Sequence, residues 1–504
     1  RFLFVHALVQ EALTEVVPVL RRARLHAAVA TAIESRAGAE RQAAAAHHWF
    51  QAIPAGHTAR AWRAAWRAAE EAKRLRAYDV AVELLERACQ VADDDLDLDP
   101  ADRMDLLFAL AEARFGAGDP AGQEAELTRI RHLAGQAGDR RRRIEAATGY
   151  GGRILQPWKV YGDHDADLVA DLTDLAADDT LEPAARARVL ACLALQSYYL
   201  PGSEPAERDR WSAEAARLAR QENDATLLGR VLFARFYALL DPDSADQRLA
   251  AGEEMARAGL EAGDDELRTI GLTCQGGTLL ELCRVPEALD VLAEAERLIG
   301  RTSMPYLRIM LGWLRLGVIV HRGDLEAAES LLADTVAEQR ATSMWGAQST
   351  TAGATYQIAL MRLRQGAADA WRPPDEIAHD RLSPFNVDAY AHYLVVSGRI
   401  EEARRALGPW ERQPPIPRTF VHLFWLVVRC EVWAALGDRR ACADLYEAAL
   451  PYADRMGMAG LSMLMWPVSR ALAQLAEAMG DPATAQRHAD HAERVERELA
   501  HPHG

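Results

Sequence analysis

The residues of this chain that could perform chemistry are few, and their spacing assembles no known catalytic site. His488 and His491 lie three residues apart on a helical stretch, where two imidazoles could share a metal ion, but no third ligand converges on them. No serine occupies a Gly-x-Ser-x-Gly turn, and neither lysine, Lys73 or Lys159, follows a glycine-rich phosphate loop. The sequence therefore predicts a non-catalytic chain that binds no metal ion and no cofactor itself.

One irregular stretch combines aromatic and cationic side chains and is the candidate for ligand binding. Residues 150–162 interrupt the helical pattern with glycine and proline, and they contain Arg153, Trp158, Lys159 and Tyr161. Loops of a repeat array often line its binding face, so these four residues are the predicted groove contacts. The alternative is that Trp158 and Tyr161 only fill a gap where two repeats meet.

Composition and charge restrict the class of partner. The chain has 504 residues, of which 50% are hydrophobic and 26% charged, and this is typical of a globular protein. Its net charge is −16, whereas nucleic-acid binding depends on clustered positive charge, so we predict no direct contact with nucleic acid. The four arginines at 140–143 point in all directions around a helical turn, and we interpret them as a solvated helix end. No apolar run reaches the roughly 18 residues that span a bilayer. The six cysteines form no CxxC pair, and we predict reduced thiols in a cytoplasmic protein.

The elements that must position any site are helical hairpins repeated about every 40 residues. Gly-Asp pairs that begin at Gly323, Gly437 and Gly480 separate two apolar helical stripes. Glycine suits the left-handed position after a helix, and aspartate caps the helix that follows. Weaker turn signals extend the series, near Ala77, Gly118, Gly162, Gly202, Asp241, Arg284, Gly366 and Gly398. The predicted fold class is all-α, an α-α superhelix of tetratricopeptide-like hairpins with a long concave groove.

The first fifty residues resemble the end of a nucleotide-switch region. Residues 4–13, FVHALVQEAL, and 21–30, RRARLHAAVA, are similar to a signature of large actinobacterial regulators. In that family a STAND-type, AAA-like ATPase with a small winged-helix module precedes tetratricopeptide-like repeats. Gln10 stands where the family usually has arginine, and Thr14 where it usually has tyrosine. The resemblance implies two domains, a winged-helix remnant over residues 1–50 and the repeat superhelix over 51–504.

The middle of the chain resembles one branch of these regulators. Residues 207–220 and 241–250 are similar to the repeats of SARP-type regulators, which carry a bacterial transcriptional activator domain. LuxR-type large regulators share the front end but usually finish in a helix-turn-helix, whereas this chain finishes in a charged helix around residues 493–498. The SARP-type arrangement is therefore the first choice and the LuxR-type the second.

The resemblance implies a role in sensing. In such regulators the repeats sense an effector or partner and bias an ATP-driven switch, so ATP is expected only in an upstream domain. We expect a protein partner or small-molecule effector in the concave groove, no nucleic-acid contact and no membrane. Two alternatives stay open, a free-standing scaffold for protein assembly and the sensor arm of an ATPase with an upstream cyclase or kinase.

Overall fold

The computed structural model describes residues 16–35, 41–149, 164–300, 304–344, 347–366 and 384–501. The chain divides into two units, residues 1–150 (unit 1) and 151–504 (unit 2). The four predicted groove contacts, Arg153, Trp158, Lys159 and Tyr161, lie outside the described residues. Residues 4–13, the first of the two segments of the winged-helix signature, lie outside them as well, whereas the second segment, 21–30, lies within them. The domain boundary at residues 50 and 51 stays a prediction.

The described part of unit 1 is built from helices packed in antiparallel pairs. Alanines at 61, 65, 68 and 72 are buried on one face of the third helix, and their small side chains let its neighbours approach closely. Trp49 and Trp62, each 1% exposed, fill the space between the helices. The helices are α1 Val19–Glu34, α2 Gln42–Gln51, α3 Thr58–Arg74, α4 Tyr78–Ala92, α5 Pro100–Gly116, α6 Pro120–Ala137 and α7 Arg140–Thr148.

The described part of unit 2 continues with the same hairpin plan. The first helix of most hairpins is buried almost all round, as in Pro305–His321. The second helix shows a single apolar stripe, as in Val285–Ile299. The helices are α8 Ala166–Ala176, α9 Pro183–Ser197, α10 Pro205–Gln221, α11 Ala225–Ala238, α12 Ala245–Ala262, α13 Asp265–Glu281, α14 Val285–Ile299, α15 Pro305–His321, α16 Leu325–Arg340, α17 Ala347–Arg364, α18 Pro384–Val396, α19 Ile400–Leu407, α20 His422–Leu436, α21 Arg439–Ala449, α22 Val468–Met479 and α23 Pro482–Ala500.

The predicted turns lie where the sequence indicates. Within the described ranges, every predicted turn position lies one to five residues beyond the end of a helix, and the glycines at 323, 437 and 480 have φ of 76°, 69° and 87°. The aspartate after each of these glycines accepts a backbone N–H of the next helix, as predicted for an N-cap. Gly162 lies outside the described residues. The prediction of an all-α superhelix of tetratricopeptide-like hairpins is confirmed.

A short β-hairpin interrupts unit 2 and was not predicted. Strand β1, Met456–Ala459, pairs antiparallel with β2, Met463–Pro467, and Met458 lies opposite Leu464. Gly460, with φ of 56°, makes the turn. We call residues 456–467 the inner hairpin, because it packs inside the repeat array and is buried along nearly its whole length.

Candidate functional site

The first helices of successive repeats in unit 2 share one face, and the inner hairpin covers much of it. Strand β1 lies against α13 and α20, and β2 lies against α15 and α17. Four of the twelve residues of the hairpin are methionines, whose flexible side chains adapt to irregular surfaces. A large part of the predicted concave groove is therefore filled by the chain itself.

Glycines on three helices let the inner hairpin approach the helix backbones. Gly277 of α13 faces Leu461, and Gly353 of α17 faces Met463. At Gly317 of α15, a Cβ atom would lie 2.7 Å from the Cβ of Leu464, closer than real Cβ contacts.

Side chains of α15 and α17 bind the backbone of the inner hairpin. Gln357 of α17 donates from Nε2 to the carbonyl of Leu464 at 2.5 Å. His321 of α15 has Nε2 3.1 Å from the carbonyl oxygen of Met465, and its ring packs on Trp466. Burial lowers the pKa of His321, which favours the neutral imidazole. These bonds satisfy polar backbone groups that would otherwise be buried without partners.

A buried polar network lies next to the hairpin. The hydroxyl oxygen of Tyr356 lies 2.5 Å from His392 Nδ1, and His392 Nε2 lies 2.7 Å from Glu431 Oε2. Arg364 donates to both carboxylate oxygens of Glu431, at 3.1 and 2.9 Å. Burial opposes ionisation of Glu431, but the adjacent cations and the bond to His392 outweigh it and lower its pKa to about 2. The network joins α17, α18 and α20, and we interpret it as structural.

An open cleft of about 680 Å³ lies in the C-terminal part of unit 2. The loop 413–418, which contains three prolines, forms one wall, and residues 444–448 of α21 form the other. Leu426 and Arg429 of α20 form the floor, and Trp410 and Tyr452 add aromatic surface. Pockets of about 300–1,000 Å³ hold small organic ligands. This cleft is the candidate functional site.

Arg429 is the most unusual residue of the cleft, because its guanidinium is buried and incompletely bonded. The side chain is 3% exposed. Its Nε donates to Asp388 Oδ2 at 2.9 Å, and its Nη1 donates to the carbonyl of Pro414 at 2.5 Å. Its Nη2 has no hydrogen-bond partner among the described residues. Burial raises the pKa of Asp388 to about 6, although Arg429 opposes the shift.

The cleft lies where early and late repeats of unit 2 meet. Asp243, in the turn between α11 and α12, accepts hydrogen bonds from Arg418 and from Tyr452, the latter at 2.7 Å. Burial opposes ionisation of Asp243, but these two donors outweigh it and lower the pKa of the carboxyl. Nearby, Tyr198 accepts a hydrogen bond from the Phe420 N–H at 2.8 Å. We call these the closure contacts, and they join residues 175 to 222 positions apart.

The arginine run and the histidine pair singled out from the sequence lie among hydrogen bonds and ion pairs within the fold. The arginine run forms the first turn of α7, where Arg142 pairs with Asp105 and Asp139 at 2.7 Å. The run lies at a helix end as predicted, but Arg142 is paired and only 13% exposed, so the prediction of a solvated end is wrong for this residue. His488 lies 2.9 Å from the hydroxyl of Tyr446. Among the described residues, no group of three or more potential ligands could hold a metal ion.

Sequence reasoning missed both the cleft and the inner hairpin. The cleft needs contacts between segments far apart in the chain, and no local pattern marks them. For the hairpin a signal was available: residues 451–467 contain two prolines and two glycines, spaced too closely for a helix to run through the segment.

The solved structures to which this chain is similar include the following two. Yeast Tom70, in its crystal structure, aligns with a TM-score of 0.34 and 13% identity, over 95% of this chain and 93% of that chain. A circular tandem repeat protein with novel repeat topology and enhanced subunit contact surfaces aligns with a TM-score of 0.14 and 16% identity, over 97% of this chain and 99% of its own. No family model and no curated protein matches the chain.

Every helix within the described ranges is too short or too polar to cross a membrane. Stacked helical repeats present extended surfaces to binding partners, and unit 2 is an array of this kind.

Proposed function

We propose that this chain is the effector- or partner-sensing repeat module of an ATP-dependent transcriptional regulator and is itself non-catalytic. In this proposal the effector binds in the cleft between loop 413–418 and α21. ATP binding and DNA binding belong to domains attached to the module. The cytoplasm is the proposed location, which is supported by the six cysteines, all within the described residues and none of them in a disulfide.

The observation that carries the proposal is the position of the cleft at the closure contacts. A ligand shifts a conformational equilibrium only if it binds one state better than the other. Asp243 and Tyr452 both line this cleft, they are hydrogen bonded to each other, and they belong to distant repeats, so an occupant can contact both. Binding there would favour the packing of unit 2 in which the closure contacts are formed. A change in this packing would alter how the module contacts the attached domains.

The second candidate is a scaffold that only assembles protein partners, and the inner hairpin favours it. The hairpin occupies the inner face in the manner of a bound peptide, with side-chain bonds to its backbone and glycines beneath it. A scaffold could exchange this segment for a partner, and it would have no need of a small ligand cleft.

A cleft-filling allele in the source organism tests the proposal. Ala448 is exposed and lines the cleft, so Ala448→Trp fills it without disturbing the core. Ala443→Trp, on an exposed position of the same helix that does not line the cleft, is the matched control. We expect Ala448→Trp to shift the set of transcripts that a deletion shifts, and Ala443→Trp to leave them at the wild-type level.

Protein abundance is measured in every strain, so that a loss of protein is not mistaken for a loss of sensing. The regulator role is wrong if the deletion changes no transcripts, or if Ala448→Trp behaves as the wild type under conditions where the deletion has an effect. Unchanged transcripts with altered co-purifying proteins would support the scaffold.

A further inference from the structure

We infer that the cleft binds a small carboxylic acid with an apolar body, whose carboxylate accepts hydrogen bonds from Arg429. The inference rests on the proposed function and deepens it by naming the chemical class of the effector. Three observations support it: the incomplete bonding of Arg429, the lining of the cleft and the arrangement of its acidic residues.

The first observation concerns the donors of Arg429. A guanidinium stays protonated in proteins and carries five N–H donors. Nε and Nη1 are bonded to Asp388 and to the Pro414 carbonyl, which leaves the two N–H bonds of Nη2 without a described partner. Nη2 has almost no solvent-accessible surface, so a ligand in the cleft must displace part of the floor to reach it. Because buried donors without acceptors cost free energy, a ligand that supplies an acceptor there is favoured. A carboxylate makes a charge-assisted bond with a guanidinium, roughly twice as strong as a bond to a neutral acceptor.

The second observation concerns the surface around Arg429. Leu426 and Leu445 are buried side chains that line the cleft, and Ile416 faces it from the proline-containing loop. Leu426 and Leu445 are almost fully buried already, so the surface that an apolar ligand body would remove from water is that of Ile416 and the prolines beside it. Proline restricts the backbone of the loop, so this wall is largely formed before the ligand arrives.

The third observation is that the acidic residues of the cleft do not favour a cation at its floor. Asp243 is bonded to Arg418 and Tyr452, and Asp444 accepts the indole N–H of Trp410 at 2.7 Å. Asp444 and Glu447 are exposed, and salt screens such charges. The floor therefore presents a donor, while the acids are engaged or lie at the rim.

Calorimetric titration of the full chain with matched probes tests the inference. The probes are octanoate and 4-phenylbutyrate, each beside its amide and its amine. We expect the acids to bind, the neutral amides to bind at least tenfold more weakly and the amines to show no binding. Arg429→Met should weaken acid binding at least tenfold, and Arg429→Lys should restore part of it, because charge is kept but bond geometry is lost.

Variants that keep the fold make the outcome decisive. Arg429→Met alone strands Asp388 as a buried charge and can unfold the repeat, so the double variant Arg429→Met/Asp388→Leu removes both partners of the pair. Ala448→Trp should abolish acid binding through bulk alone, whereas Ala443→Trp should bind as the wild type. Circular dichroism melting establishes that each variant is folded.

The inference is overturned if neither acid binds the wild type, if acid and amide bind equally, or if a folded variant without Arg429 binds the acids unchanged. Its failure is distinguishable from failure of the proposed function. If no acid binds and Ala448→Trp still shifts transcripts, the cleft senses another class of ligand. If the acids bind through Arg429 and Ala448→Trp leaves transcripts unchanged, the ligand class stands and the regulator role is wrong.

Discussion

Single side chains fix the turns of the array, and Asp438 is the clearest case. Its Oδ1 accepts the backbone N–H groups of Arg440 and Ala441, each at 3.1 Å, at the start of α21. Loss of an N-cap typically costs about 1 kcal/mol. We expect Asp438→Ala to lower the free energy of unfolding by about that amount and Asp438→Asn to lower it less, as measured by urea denaturation. An equal loss in both variants would show that charge, and not capping, stabilises the helix.

The buried network predicts a pH dependence that is traceable to Glu431. Its pKa of about 2 lies below the value of about 4.5 for an unfolded chain, so its contribution is present above pH 4.5 and is lost as the pH falls toward 2. The shift corresponds to about 3 kcal/mol. Glu431→Gln should be less stable than the wild type at pH 7, and the difference should shrink as the pH falls.

Chemical denaturation of both proteins at several pH values measures this difference directly. Comparing variants cancels the opposite slope from Asp388, whose raised pKa makes stability fall as the pH rises from about 4 to about 6. A difference between the two proteins that stays constant from pH 7 down to pH 3 would contradict the assignment to Glu431.

At the scale of single residues, the sequence predicts the helix N-caps but does not predict the buried pairs of ionisable side chains. A cap such as Asp324 is readable because its partner lies three residues away. Arg429 and Asp388 lie 41 residues apart, and His392 and Glu431 lie 39 apart, which is one repeat length. A search for ionisable residues that recur at the repeat length on the first helices would have indicated both pairs.

At the scale of elements, the inner hairpin shows where local pattern reasoning ends. The residues of β1 and β2 include four methionines, which have a strong helix propensity, and the repeat pattern predicts two helices per unit. Tertiary context decides instead, because the face of α13, α15 and α17 offers glycines for close approach and polar side chains for the strand backbone.

Gly317→Val tests how tightly the hairpin is held. A side chain there would overlap Leu464, so we expect a loss of about 1–3 kcal/mol in the free energy of unfolding. Hydrogen exchange should increase mainly in residues 456–467. The matched control is Gly135→Val in α6, where no atom lies within 4 Å of an added Cβ. If both variants lose the same stability, the close contact with Leu464 is not what matters.

At the scale of the array, the sequence predicts repeats but not how unit 2 returns on itself. Spacing of turns and apolar stripes gives the hairpins, because each depends on neighbours within one repeat. The closure contacts join Tyr198 to Phe420 and Asp243 to Tyr452, over 222 and 209 residues. Such pairings depend on the accumulated rotation of every repeat between them, which no local pattern encodes.

Tyr198→Phe tests whether closure is a cooperative feature of unit 2. The hydroxyl donates to the Leu240 carbonyl at 2.9 Å and accepts the Phe420 N–H, so its removal leaves two backbone groups in a buried region without this partner. We expect a loss of about 1–3 kcal/mol in the free energy of unfolding. Exchange should rise together around residues 239–244 and 417–423, although these segments are far apart in sequence.

The control for this variant is Tyr390→Phe, at a partly buried tyrosine of α18 away from the closure contacts. It should change stability by less than about 0.5 kcal/mol. If the closure contacts form one cooperative set, an acid bound in the cleft should slow exchange in both segments in the wild type and should do so less in Tyr198→Phe. Protection confined to 417–423 would mean that the ligand orders only the loop, and the link between the cleft and the distant repeats would then be absent.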